Sequence, residues 1–260
     1  MMLLGLAVVL ALVLGACGWI MMQWSVPLAF VLVGFGGMSV WNMLLRAAGV
    51  QVVVPLTSAR GKDALRVVCV ANLNNLHENV NVPLGDVLVV AGGCTRYGRH
   101  DEAAAVNAWL GRLPHQFKVV VPAEYERSLD LTTLLPNANV LLDEPMEIQT
   151  ILFYGASSST ITWKELPRSI DMLITPQPPL GVLDTIFTGH HIGDKELLKA
   201  VVSYLRPAYH VFGKAQESYG HKKLGATTFI NAATCTAMRQ PTNPPIVLDI
   251  PKKLIESNPQ

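Results

Sequence analysis

The side chains that could perform acid–base chemistry are few and scattered along the chain. Histidine and glutamate stand together at His77-Glu78, in a polar loop after an apolar run, and this pair is the best candidate for proton transfer. An ordinary hydrogen-bonding role in that loop is the competing and favoured interpretation. His190 and His191 are adjacent, so on a regular element they point to different sides and do not form a paired ligand set. GxSxG, P-loop and HExxH motifs are absent from the sequence.

Charge and cysteine content exclude further classes of function. The net charge of +1 lacks the basic excess of a nucleic-acid-binding domain, so nucleic acid is not an expected partner. The four cysteines show neither CxxC spacing nor a zinc-ligand pattern. They are expected to be mostly buried thiols in a reducing compartment. The cysteines are Cys17, Cys69, Cys94 and Cys235.

The N-terminal 45 residues contain no Lys, Arg, Asp or Glu. This apolar segment is too long for one membrane span and is interrupted at Gln23–Ser25, which predicts a two-span transmembrane hairpin over residues 1–46. A single span with a re-entrant or interfacial helix, and a cleaved segment, are the alternatives. Basic residues begin at Arg46, on the side of the remaining chain. The positive-inside rule then predicts a multi-pass protein with its domain in the matrix of a mitochondrial inner membrane, or otherwise in the cytosol.

The remaining chain alternates between apolar β-rich runs and amphipathic segments, which indicates an α/β fold. We expect a linker at 47–65, one domain at 66–251 and a polar tail at 252–260. One helix is predicted from an N-cap at Asp101 to Leu113, and another from Asp194 to the residues before Pro207. The predicted strands are Arg66–Ala71, Val87–Ala91, Lys118–Val121, Asn139–Leu142, Thr150–Tyr154, Asp171–Thr175, Tyr209–Phe212, Thr227–Asn231 and Ile246–Ile250.

Several short segments within this domain carry a resemblance to a known family. They are Leu76–Asn79, Gly85–Leu88, Thr95–Gly98, Asn107–Leu110, Tyr154-Gly155, Pro178–Gly181, Tyr209–Gly213 and Pro241–Val247. In these segments and in their order, the region from Arg66 to Ile250 resembles the calcineurin-like metallophosphoesterases, in particular the metallophosphoesterase-domain-containing proteins. The resemblance implies a β-sandwich flanked by helices, with loops at the carboxyl ends of the strands forming the site.

The resemblance also implies a pair of divalent metal ions, but this sequence departs from the ligand pattern at all five motifs. Asn72 and Asn74 stand where the resemblance implies an aspartate and a histidine. Gly93 stands where it implies the aspartate that bridges the two ions. The other departures are Glu124 and Tyr125 in place of asparagine and histidine, Pro176 in place of histidine, and Lys214 and Gln216 in place of two histidines. Of these side chains only Glu124 could coordinate a metal, and one carboxylate does not hold two ions, so neither a metal nor another cofactor is expected.

A non-catalytic protein with retained surfaces is therefore the main functional prediction. It is expected to be an accessory subunit of a multi-subunit membrane complex, with other subunits and the lipid bilayer as partners. The alternative is a module that binds a mononucleotide or phosphate through Arg96, Lys214 and the backbone amides of Gly92-Gly93. A residual metal-independent phosphodiesterase ranks last. Glu124 and Lys214 are expected to lie within salt-bridge or one-water distance of each other, and if the pair is buried, removing one partner should be strongly destabilising.

Overall fold

A computed structural model describes residues 63–157 and 160–253 of the chain. The predicted hairpin at 1–46, nearly all of the predicted linker and the end of the predicted tail lie outside the described residues. Among the residues that are described, no helix has both the length and the apolar character needed to cross a membrane. This finding contradicts the predicted multi-pass membrane localisation, which is therefore wrong and is not carried further.

The described chain forms two sheets with helices outside them. The strands are β1 (Ala64–Val70), β2 (Val87–Ala91), β3 (Phe117–Val121), β4 (Asn139–Val140), β5 (Glu144–Ile148), β6 (Ile151–Gly155), β7 (Met172–Ile174), β8 (Tyr209–Phe212), β9 (Gly220–Leu224), β10 (Thr227–Asn231) and β11 (Ile246–Pro251). The α-helices are α1 (His100–Arg112), α2 (Leu131–Leu134) and α3 (Lys195–Ala200), the last continuing into a π-helical turn at Val201–Leu205. Short 3-10 turns lie at His77–Asn79, Glu124–Ser128, Trp163–Glu165 and Gln216–Ser218.

The first sheet has the strand order β11-β1-β2-β3-β4. Strands β1 to β4 are parallel, and β11 pairs antiparallel with β1 along six residue pairs. The valine-rich sequences of β1 and β2 suit this position because strands covered on both faces read as continuous apolar runs. Parallel pairing places the loops after β1, β2 and β3 at one edge of the sheet.

The second sheet has the order β5-β6-β7-β8-β10-β9. Strands β6, β7, β8 and β10 are parallel, whereas β5 and β9 pair antiparallel at the two edges. Alternate side chains of both sheets meet in a shared core, which includes Val67, Val89 and Val119 from the first sheet and Phe153 and Val211 from the second. The outer faces pack against helices, α1 on the first sheet and α3 on the second. The predicted α/β architecture with two packed sheets is thus confirmed.

Three elements differ from their prediction. Helix α1 begins at His100, so Asp101 lies inside the first turn, while Glu102 accepts hydrogen bonds from the Tyr97 and Arg99 amides. Strand β5, the partner of β6, was not predicted, and β4 belongs to the other sheet. Strand β9 was not predicted, because its polar residues show no alternation. The predicted cap at Asp194 is confirmed, since its carboxylate accepts a hydrogen bond from the Leu197 amide at 2.7 Å.

Candidate functional site

The loops that follow β1, β2, β3, β7 and β8 surround one cavity of about 130 Å³. Three come from the first sheet and two from the second, so the cavity lies where both sheets end. Six of the eight positions that depart from the metal-ligand pattern line this cavity: Asn72, Gly93, Glu124, Tyr125, Pro176 and Lys214. Gly92, Ala123 and Gln177 complete its lining. The fold therefore brings together most of the positions that the motif comparison selected.

Asn72 connects the two sheets across the cavity. Its Oδ1 atom accepts a hydrogen bond from the backbone N–H of Lys214 at 2.5 Å. Asn72 follows β1 and Lys214 follows β8, so this bond joins the first sheet to the second. Both residues have positive φ, 51° and 70°, a conformation that asparagine tolerates better than most residues. The asparagine oxygen is thus occupied by the protein backbone at a position where the sequence resemblance implies a metal ligand.

The Gly92-Gly93 turn closes one wall of the cavity. Both residues have positive φ, 77° and 66°, which glycine adopts without steric penalty. A Cβ atom at Gly92 would lie 2.7 Å from the Cβ of Pro176, so the proline ring packs directly on the turn. Gly93, where the resemblance implies a bridging carboxylate, has no side chain, and the ring of Pro176 offers no donor atom.

Glu126 holds the base of the site, and sequence reasoning assigned it no role. The side chain is fully buried. One carboxylate oxygen accepts hydrogen bonds from the Gly93 and Ala123 amides at 3.0 and 2.8 Å. The other accepts from the Thr95 amide and hydroxyl, both at 2.7 Å, and from the Cys94 thiol at 3.1 Å. Five donors fix the loops after β2 and β3 around one charge, and beside that charge burial raises the pKa of the Cys94 thiol.

Glu124, Tyr125 and Lys214 stand at the mouth of the cavity and are exposed. The Tyr125 hydroxyl donates a hydrogen bond to the Thr95 carbonyl at 2.7 Å, and burial of that hydroxyl raises its pKa. Tyr125 therefore braces the neighbouring loop at a position where the resemblance implies a histidine. The exposure of Glu124 and Lys214 contradicts the premise that a buried ion pair forms here.

The remaining predicted positions lie outside the cavity lining. Asn74 donates through Nδ2 to the Asn72 carbonyl at 3.0 Å. Gln216 begins a 3-10 turn and is partly exposed. The guanidinium of Arg96 lies 4.7 Å from the ring centroid of Tyr97. The predicted anion site thus has one of its two cations, Lys214, at the cavity, and the Gly93 amide already donates to Glu126.

The candidate acid–base pair His77-Glu78 is divided between two environments. His77 is buried with its ring centroid 5.4 Å from that of Trp109, and burial lowers its pKa. Glu78 is exposed and pairs with Arg112. The Glu78 carboxylate lies 4.0 Å from the His77 ring, beyond hydrogen-bonding distance. Neither residue lines the cavity, so the structure favours the structural role for this pair.

Two other histidines have defined partners. His191 contacts the buried Asp184 through Nδ1 at 2.7 Å, while its neighbour His190 is exposed. His210 is fully buried on β8, 2.9 Å from the Thr175 hydroxyl through Nε2, and burial lowers its pKa to about 3. Because the Thr175 hydroxyl donates to the Gln177 carbonyl, it accepts from His210, whose Nε2 atom therefore carries a proton.

A pair of divalent metal ions does not fit the residues of this cavity. Glu124 is the single carboxylate in the lining, and Lys214 adds a positive charge that repels cations. Across the described residues, no group of three or more His, Cys, Asp or Glu side chains is placed to hold a metal ion. Hard divalent ions require several oxygen or imidazole ligands around one point, which this lining does not supply.

Some known proteins resemble this chain in sequence, and a solved structure resembles it in fold. No family model matches the chain. A UPF0046 protein from Caenorhabditis elegans is 35% identical over 229 residues, which cover 75% of this chain and 78% of that protein. Human metallophosphoesterase domain-containing protein 1 is 31% identical over 243 residues, covering 76% and 74%. Among solved structures, a phosphopantetheinyl hydrolase from Mycobacterium tuberculosis superposes with a TM-score of 0.53 at 12% identity, over 77% of this chain and 99% of that one, which is a likeness of fold alone.

Proposed function

We propose a function for this chain from one premise: it belongs to the metallophosphoesterase domain-containing protein family. We infer that it retains the two-sheet fold of that family without its two-metal reaction. It acts as an accessory subunit of a multi-protein complex, through its surfaces.

The lining of the cavity carries this proposal. Two-metal phosphoester hydrolysis depends on ligands that hold both ions and clamp the attacking and leaving oxygens. At the corresponding positions this cavity presents a backbone-bonded amide, an unsubstituted glycine, a proline ring and an ammonium group, at Asn72, Gly93, Pro176 and Lys214. None of these can replace the missing carboxylates and imidazoles.

The loops around the cavity are held in place by many contacts. Glu126 collects five hydrogen bonds at the base of the site, and Asn72 ties the first sheet to the second. A chain whose loops are firmly held but lack metal ligands supports a role in which surface shape matters. An accessory subunit is such a role.

A mononucleotide or phosphate ligand is less well supported. Lys214 offers one ammonium group at the cavity, but Glu124 lines the same cavity with the opposite charge. Arg96 lies against Tyr97 instead, and the Gly93 amide is already bonded to Glu126. Isothermal titration with a mononucleotide and with inorganic phosphate tests this alternative directly.

The proposed function is tested by a hydrolysis assay with the full chain. We expect no turnover of bis(p-nitrophenyl) phosphate above the buffer rate in the presence of Mn²⁺ or Mg²⁺. The matched control is the human relative, assayed in parallel. Metal-dependent hydrolysis that disappears on Glu124→Gln would contradict the proposal. The accessory role is tested by native mass spectrometry of the protein isolated from its source under gentle conditions, where it should occur with other subunits in fixed stoichiometry.

A further inference from the structure

Strand β9 lies at one edge of the second sheet in the part of the chain that the structure describes. Among the described strands it pairs with β10 alone, through five residue pairs that end in the tight turn at Gly225-Ala226. Hydrogen-bonded and non-hydrogen-bonded pairs alternate in an antiparallel ladder, so about half of the β9 peptide groups point away from β10. Such an edge is a template for an additional strand.

Positive charge lies on both faces of this edge. His221, Lys222 and Lys223 are consecutive, and all three are exposed. Directly opposite residues of an antiparallel pair share a face, so Lys222 lies on the face of Phe229 and Lys223 on the face of Thr228. Each face of β9 therefore carries one lysine next to the free backbone groups.

No acidic residue in the surrounding sequence offsets these charges. The sequence contains no Asp or Glu between Glu217 and Asp249, a stretch that includes β9, β10 and the loop after β10. An incoming strand with two adjacent acidic residues would place one carboxylate beside each lysine. The free backbone groups and the positive charges thus both favour an extended partner segment that carries acidic residues.

A second copy of this chain fits the edge less well. Pairing β9 with another β9 opposes lysines to lysines. The opposite edge of the same sheet, β5, carries Glu144 and Glu147, but it also contains Pro145, which has no N–H to donate. Proline and like charges on edge strands oppose self-association.

We propose that β9 docks an extended segment of a partner protein, in which two adjacent acidic residues are flanked by β-branched residues. The segment adds a strand to the six-stranded sheet through main-chain hydrogen bonds, and its carboxylates pair with Lys222 and Lys223. This inference rests on the proposed accessory role, to which it adds the surface and the chemistry of the partner.

The test uses the full chain and a fluorescein-labelled peptide of sequence Thr-Val-Glu-Glu-Val-Thr. Fluorescence anisotropy should show saturable binding that weakens with salt. The double variant Lys222→Glu with Lys223→Glu should bind at least about tenfold more weakly, because both attractions become repulsions. Replacement of both lysines by arginine should keep the affinity within about twofold.

A matched control distinguishes the local effect of the two β9 lysines from the effect of the net charge of the protein. Lys164→Glu with Arg168→Glu changes the net charge by the same amount, in a loop whose neighbours line a groove with Pro145 of β5. This control should bind the peptide normally. If the glutamate double variant fails to fold, replacement of both lysines by glutamine should still weaken binding. A peptide N-methylated at every residue keeps its carboxylates but has no backbone N–H to donate to β9, so it should not bind.

Several results would overturn the proposal. Equal binding of the N-methylated peptide would show that the peptide does not add a strand to the sheet. Unchanged binding by the glutamate double variant would show that Lys222 and Lys223 do not contribute to binding. Preferential binding of single-stranded DNA or of phosphatidylserine vesicles through the same lysines would assign the edge to another class of partner. Phosphodiester hydrolysis is measured on the same preparation. Hydrolysis together with peptide binding would contradict the proposed function alone, whereas absence of both would contradict the docking edge alone.

Discussion

Glu126 offers the sharpest test of how the site is held together. We consider Glu126→Gln, which preserves size and removes the charge. One carboxylate oxygen receives two donors, the amides of Gly93 and Ala123, and the other receives three from Thr95 and Cys94. A glutamine amide carries hydrogens on one of its two atoms. In either orientation its NH₂ group therefore faces at least two donors of the protein.

The expected loss of stability follows from this count. A hydrogen bond to a charged group contributes about 1.5–3 kcal/mol, and a buried donor left without an acceptor costs about 1–3 kcal/mol. The loop can relax in part, so we expect the free energy of unfolding to fall by about 3 kcal/mol. For a domain of this size the urea m-value is about 2 kcal/mol/M, which converts the loss into a midpoint about 1.5 M lower.

Urea denaturation of the full chain, followed by tryptophan fluorescence, measures this change. Glu124→Gln is the matched control, since it makes the same substitution two residues away on an exposed side chain. That variant should lose less than about 1 kcal/mol. Equal midpoints for the two variants would refute the claim that Glu126 organises the loops.

Three further predictions concern single contacts. Asn72→Asp keeps the acceptor for the Lys214 amide, so its free energy of unfolding should stay within about 0.5 kcal/mol of that of the native chain. Asn72→Ala removes the acceptor and should lower the free energy of unfolding by about 1–2 kcal/mol. Equal losses for the two variants would show that this bond between the sheets is unimportant. In a double-mutant cycle of Glu124→Gln and Lys214→Met, the coupling should stay below about 1 kcal/mol because both side chains are exposed, and a coupling of about 3 kcal/mol would show a buried pair. Burial lowers the pKa of His210 to about 3, so below about pH 6.5 the unfolded chain binds a proton that the folded chain excludes. Stability should therefore fall on acidification between pH 6.5 and 3, by up to about 1.4 kcal/mol per pH unit from this group, and His210→Gln should flatten that slope, so that parallel pH curves would contradict the assignment.

The buried strands were the most predictable part of the fold. Val87–Ala91 was predicted to the residue, since a continuous run of valine and leucine between polar loops indicates a strand covered on both faces. Strand β9 was missed because exposed residues on both of its faces produce no period of two. Strand β5 was missed because it contains Pro145 and is mostly polar, although proline is tolerated in an edge strand.

The positions of the site were predictable from the order of the motifs, but their roles were not. Six substituted positions meet at one cavity because the strands before them end at the same edge. The role of Glu126 depends on five donors from two separate loops, which no local pattern reveals. The exposure of Glu124 and Lys214 likewise depends on how far neighbouring loops extend over the mouth of the cavity.

The binding of metal by the full chain tests the central claim most directly. The protein is incubated with excess Mn²⁺, desalted and analysed for metal content by elemental analysis. Because Asn72, Gly93, Pro176 and Lys214 supply no ligand set for two divalent ions, we expect well under about one Mn²⁺ per chain. About two ions per chain, retained through desalting and lost with Glu124→Gln, would contradict the account.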